Sequence, residues 1–134
     1  MELRPRQVTA KGAPEIFVGD VWIDAVPAGD PPSRTRVALV RFAPGARNAW
    51  HAHANGQTLH IVDGLGLVQQ RGGEIAVVRA GDTFWTPPLE WHWHGATPDH
   101  FMSHLSITEA LAEGQQGPET DWGEHVADYP TTWP

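Results

Sequence analysis

The amino-acid sequence predicts an all-β fold, a sandwich or barrel, on three observations. Fourteen Gly and 12 Pro in 134 residues cut the chain into pieces too short for long helices. The pieces themselves are rich in β-branched and aromatic residues, which fit a pleated, half-buried surface. Finally, a chain of this length forms one domain that buries roughly two-thirds of its unfolded surface, enough for a core without a disulfide.

The elements follow in order along a single domain spanning residues 1–134. After a polar N-terminal arm, candidate strands run over residues 17–23, 35–42, 58–62, 66–71, 74–78, 83–86 and 101–108, each bounded by Gly, Pro, Asp or Asn. "RGGE" at 71–74 reads as a two-residue hairpin turn, and "APGA" at 43–46 and "RAGD" at 79–82 read as further turns. "TEALAEG" at 108–114 is the one helix-friendly piece, one or two turns ended by Gly114. From about residue 113 the chain continues as a Pro/Gly-rich tail.

Composition narrows the function. With a formal net charge of −7 and nine Lys and Arg scattered singly, the chain has neither a nucleic-acid footprint nor a polybasic membrane patch, and a small-molecule partner is expected. No run of about 18 apolar residues and no apolar leader segment is present, so the expectation is a cytoplasmic protein. Cysteine is absent, which rules out thiolate sites and Cys nucleophiles, and any metal must use N and O ligands.

Histidine spacing supplies such ligands. Side chains at i and i+2 on a strand face the same way, so His51 and His53 can present two imidazoles to one point. Gln57 follows across Ala54-Asn55-Gly56, a turn that can bring its amide oxygen back. His92 and His94 repeat the spacing, and a sheet folded on itself brings the two segments together. His94, between Trp91 and Trp93, reads as a packed, hydrogen-bonded residue and is left out of the ligand set. His60 is out of phase with Gln57, and His100 and His125 read as solvent residues. His104 shares a strand face with Met102, Ser106 and Thr108, where it is either a satisfied core histidine or a catalytic one. The seven Trp read mostly as core or interface packing, with Trp50 facing away from His51. Arg41 and Arg47 are candidates for a substrate carboxylate, although exposed arginines are the common case.

These residues resemble the cupin superfamily. Its first motif is matched by Gly45, His51, His53 and Gly64, with Gln57 in the place of Glu; its second is matched by Gly81, Pro87 and His92, with Leu89 and Ala96 in the places of Gly and Asn. The resemblance implies a jelly-roll β-barrel holding one divalent metal through His51, His53, Gln57 and His92. From residue 18 to 126, "FAPGARNAWHAHANGQTL", "GDTFWTPPLEWHWHGATP", "MSHLSITEA" and "DWGEHV" are similar to small bacterial cupins that act as manganese-dependent hydroxynitrile lyases. That likeness implies manganese, a proton-transfer role for His104, and a substrate pocket at Ala38, Val40 and Thr108, while three imidazoles and an oxygen donor suit iron, nickel or zinc as alternatives. It implies cleavage of a small cyanohydrin to an aldehyde and HCN. The alternatives are a cupin dioxygenase, decarboxylase or isomerase acting on a small oxo-acid or enol, and a non-catalytic metal-binding sensor. A homodimer or homotetramer joined through sheet faces and terminal arms is the expected assembly.

Overall fold

The structure, a computed structural model, describes residues 1–133. Among them there are twelve strands: β1 (Ala10–Lys11), β2 (Phe17–Val18), β3 (Val21–Val26), β4 (Thr35–Phe42), β5 (Arg47–Asn48), β6 (His51–His53), β7 (Gln57–Gln70), β8 (Ile75–Arg79), β9 (Thr83–Thr86), β10 (His92–Ala96), β11 (Met102–Glu109) and β12 (Thr120–Trp122). All pairings are antiparallel. One sheet runs β1-β3-β4-β11 to the first half of β7, with β9 on the far side of that half. The other runs from β8 through the second half of β7 to β10, and then to β5 and β6, with β2 and β12 outermost. Together they form a jelly-roll-like barrel.

β7 belongs to both sheets, and this is where the sequence expectation of separate strands at 58–62 and 66–71 fails. The Asp63-Gly64 pair bends the strand instead of ending it. Gly64 has φ +83°, a conformation that costs glycine nothing, and a Cβ there would collide with the Phe101 carbonyl. At the same place the β7–β11 ladder shifts register between Ser103 and His104, as a bulge that turns the strand would require. The expected strand at 17–23 is broken the other way, into β2 and β3, because Gly19 takes φ +80°.

Other corrections have local causes. The expected helix at 108–114 is absent, since Thr108 and Glu109 continue the β11 ladder opposite Arg36 and Thr35. The remainder is too short to nucleate a helix and folds as a turn in which the Gln115 N–H donates to the Ala112 carbonyl (3.0 Å). The hairpin at "RGGE" is longer than two residues, closing at Gln69 and Ile75. The turns at 43–46 and 79–82 are present, each with a bond from the last N–H to the first carbonyl of 2.9 Å. β1, β5, β6, β10 and β12 are strands that local composition did not single out, although the histidine spacing marked β6 and β10.

The core lies between the sheets, around Phe17, Val21, Phe42, Ile61, Val78 and Met102. A second cluster forms on the outer face of the second sheet, where the C-terminal tail packs Val126 and Tyr129 over Leu67 and Trp93. The Trp93 Nε1–H donates to Gln69 Oε1 (2.7 Å), and the Tyr129 hydroxyl donates to the Ala96 carbonyl (2.7 Å). With Trp93 turned outward, the alternation of β10 turns His92 and His94 inward. Among the described residues, no helix is long and apolar enough to cross a membrane.

Leu89 stands where the superfamily motif has Gly, and among the described residues it is the single non-glycine with positive φ, at 65°. Its N–H donates to the His53 carbonyl (2.9 Å), while its side chain is 71% exposed and so gains little from burial. A left-handed L-residue costs about 1–2 kcal/mol, against about 0.5–1 kcal/mol for the extra freedom of an unfolded glycine. Leu89→Gly is therefore expected to raise the thermal midpoint by a few degrees; a calorimetric midpoint below the parent's would show that the leucine side chain has a packing role.

Candidate metal centre

β6 and β10 lie side by side with His92 directly opposite His51. His53 is two residues further on the same face of β6. One ring nitrogen from each of the three histidines comes within 4.8 Å of the others, and all three side chains are buried. Gln57 opens β7 just after the turn at Asn55-Gly56, and its Oε1 is 2.9 Å from His92 Nε2.

Hydrogen bonds fix which atoms converge. The Nδ1–H of His51 donates to the Ala49 carbonyl (2.8 Å), and that of His92 to the Glu90 carbonyl (3.1 Å). A neutral imidazole bonded in this way keeps a lone pair on Nε2. The Gln57 Nε2–H donates to Ser106 Oγ (2.9 Å), which turns Oε1 toward the histidines. Two acceptors, His92 Nε2 and Gln57 Oε1, thus face each other, and His53 Nε2 is buried without a partner. Acceptors crowded together are unfavourable alone and favourable around a cation, whose ligands at about 2.1 Å sit roughly 3 Å apart. The residues present fit one divalent metal held by imidazole nitrogen and amide oxygen.

A second pair of histidines adjoins the first set. His104, on β11, is 1% exposed, its Nε2 lies 3.1 Å from His94 Nδ1, and its own Nδ1 has no partner. His94 is held from behind by Asn48, whose Oδ1 accepts the His94 backbone N–H (2.9 Å) and whose amide nitrogen is 3.1 Å from the ring. Both histidines line a cavity of about 120 Å³ together with His51, His53 and Gln57. Val40 also lines this cavity, whereas Ala38 and Thr108 line an adjoining one of about 450 Å³. Ser106 borders both.

Of the sequence-derived candidates, the structure therefore brings His51, His53, Gln57, His104 and Val40 to one cavity, sets His92 against its histidines and Gln57 from outside that lining, and puts Ala38 and Thr108 one cavity further out. His94 is packed and hydrogen-bonded, as expected, and it also faces the cavity. The remaining histidines lie elsewhere: His60 is bonded to Thr83 (2.9 Å), and His100 and His125 are exposed. Arg41 pairs with Asp24 (2.9 Å) and Arg47 stacks on Tyr129 (4.2 Å), so neither reaches the cavity. Trp50 points away from it, beneath Arg71 (4.8 Å). Sequence reasoning missed Asn48, and also Trp122, which lies 4.7 Å from the His51 ring and reaches the cavity only because β12 pairs with β6.

Residues 38–107 match the Cupin domain family, and the chain belongs to the cupin family. It is 43% identical over 122 residues to the (R)-mandelonitrile lyase of Granulicella tundricola, an alignment covering 91% of this chain and 90% of that one. A cupin-like protein from Thermotoga maritima has a solved structure similar to this one at TM-score 0.79 and 33% identity, covering 96% of this chain and 92% of that one. A polyketide cyclase from Streptomyces resistomycificus shares the fold at TM-score 0.71 and 15% identity, over 98% of this chain and 90% of its own.

Burial keeps the imidazoles uncharged. It pushes His53 and His104 down to about 4, lowers His92, and holds His51 and His94 well below the ordinary value, with neighbouring histidines adding to the effect at His51, His53 and His94. In the unfolded chain the same groups take up protons near pH 6.5, so between pH 6.5 and about 4 the unfolded state binds more protons. Their contribution to stability is complete above pH 6.5 and is lost as pH falls. The thermal midpoint of the metal-free chain is expected to drop steeply from pH 7 to pH 5 by calorimetry, and a flat profile would mean that these rings are hydrated.

Proposed function

We propose that this chain is a divalent-metal-dependent lyase that cleaves a small cyanohydrin to an aldehyde and HCN. The observation that carries the reading is a cluster of three convergent neutral imidazoles, two of which line, with Gln57, a cavity of about 120 Å³ that also holds His104, a neutral histidine whose free nitrogen is buried. The 43% identity to a protein named (R)-mandelonitrile lyase supports it. Manganese is the proposed metal, with iron, nickel or zinc as alternatives, and when bound it supplies Lewis-acid stabilisation of negative charge.

The chain's own residues do the rest. His51, His53, His92 and Gln57 carry no charge, so they leave the site cationic and suited to an anion such as cyanide. His104 is neutral at pH 7 because burial, more than repulsion by a nearby charge, holds it near 4. It accepts the substrate hydroxyl proton while the electron pair of the C–C bond leaves with cyanide, then returns that proton to give HCN. His94 and Asn48 hold the His104 ring in place. Val40 borders the reacting carbon, and the aldehyde substituent extends past Ser106 toward Ala38 and Thr108.

The deciding assay is mandelonitrile cleavage by the Mn(II)-loaded protein. His104→Ala is expected to retain metal and fold but lose about 10²- to 10⁴-fold in rate, the usual cost of removing a general base. A variant as fast as the parent, or a parent inactive with every divalent metal, would leave a metal-binding cupin without this chemistry.

Gln57→Glu adds a negative ligand and is expected to hold Mn(II) more tightly while binding azide more weakly. Azide titration of both loaded proteins checks this, and equal affinities would show that ligand charge does not set anion preference.

A further inference from the structure

The three histidines of the cluster do not find their Nδ1 partners in the same way. His51 and His92 each donate to the carbonyl two residues earlier in the chain, Ala49 and Glu90, just before their strands begin. Those acceptors are backbone atoms that no side-chain replacement removes. His53 has no such bond, and its Nδ1 lies instead 3.2 Å from the hydroxyl oxygen of Thr120, 67 residues away in sequence. We infer that Thr120 is a positioning residue for metal binding, its hydroxyl accepting the Nδ1–H of His53 and so presenting Nε2 as the ligand atom.

The tautomer is what matters. A neutral imidazole has one N–H, and an acceptor at Nδ1 keeps the proton there and the lone pair on Nε2. His53 Nε2 is buried and has no hydrogen-bond partner, so it fits a lone pair waiting for a cation. Without an acceptor at Nδ1, the proton is free to move to Nε2, where it blocks coordination. The hydroxyl is held in place by the backbone on either side. β12 pairs with β6 so that Thr120 is opposite His53. The Ala54 N–H donates to the Glu119 carbonyl (2.9 Å), the Gly123 N–H to Trp50 (2.7 Å) and the Trp50 N–H to Glu124 (3.0 Å). Arg36 adds two bonds to the Glu119 carboxylate, at 2.6 and 2.9 Å. A ligand in the first motif is thus oriented by the C-terminal tail, which neither histidine motif contains.

This rests on the metal reading of the cluster and not on cyanohydrin chemistry, so its test is binding. Mn(II) affinity is measured on the full metal-free chain by competition with a chelator, and the histidine tautomers by ¹⁵N imidazole shifts. Thr120→Val keeps the shape and removes the acceptor. It is expected to raise the Mn(II) Kd about 10- to 100-fold, the usual loss on removing such a partner, and to shift His53 toward the Nε2–H form, while His51 and His92 keep theirs. Thr120→Ser restores the hydroxyl and is expected to restore both readouts. The inference is overturned if Thr120→Val leaves Kd and tautomer unchanged, or if Thr120→Ser binds as weakly as the valine variant. A wild-type chain that takes up no divalent metal removes the metal reading and this inference together.

Discussion

A buried imidazole is stable only when it is uncharged and its nitrogens are accounted for, and five such rings share the interior of this barrel. Each ring has one proton to place and one lone pair to satisfy. The carbonyls of Ala49 and Glu90 take the protons of His51 and His92, and Asn48 anchors His94. What remains is a set of lone pairs aimed at one another with too few donors among them. A divalent cation would answer that imbalance for three of the rings, and the fourth and fifth, His94 and His104, answer part of it for each other.

The barrel makes this concentration of rings affordable by sharing one strand between its sheets. β7 carries Gln57 at its start and pairs with β11, the strand of His104, before Gly64 turns it into the other sheet beside β10, the strand of His92. Two sheets joined by a common strand cannot slide past one another, so the registers that place these side chains are fixed together. The tail completes the arrangement by covering the far side of β10 through Val126 and Tyr129, which keeps Trp93 out of water and the inward histidines in phase. A segment that composition describes only as rich in Pro and Gly therefore acts on the site twice, as packing for β10 and as the strand that borders β6.

Neutrality is the property that links this packing to chemistry. Four uncharged donors would hold a cation less tightly than a set that includes a carboxylate, but would leave its charge exposed to whatever enters the cavity. The same burial that leaves the clustered imidazoles neutral at neutral pH keeps His104 unprotonated beside them. The pH dependence of stability and the neutrality of the site then draw on one cause, the removal of five basic groups from solvent.

Whatever is periodic or compositional in this protein was legible along the chain. Strand-forming pieces between Gly and Pro announced an all-β chain, and the period of two in "HAH" and "WHWH" told which histidines share a face. Gly45, Gly64 and Gly81 marked sharp turns, and the same motif frame pointed to Leu89, which does take the left-handed conformation of the glycine it replaces. The rest depended on how the strands come together. It showed that Asp63-Gly64 bends a strand where a break was expected, that 108–114 is strand and turn, and that Asn48, Trp122 and Thr120 stand beside the histidines. The physical reason is range. A side chain's direction follows from its own few backbone dihedrals, which local sequence fixes, whereas the partner of its ring nitrogen comes from whichever strand the sheet register sets alongside, and that register is a property of the whole barrel.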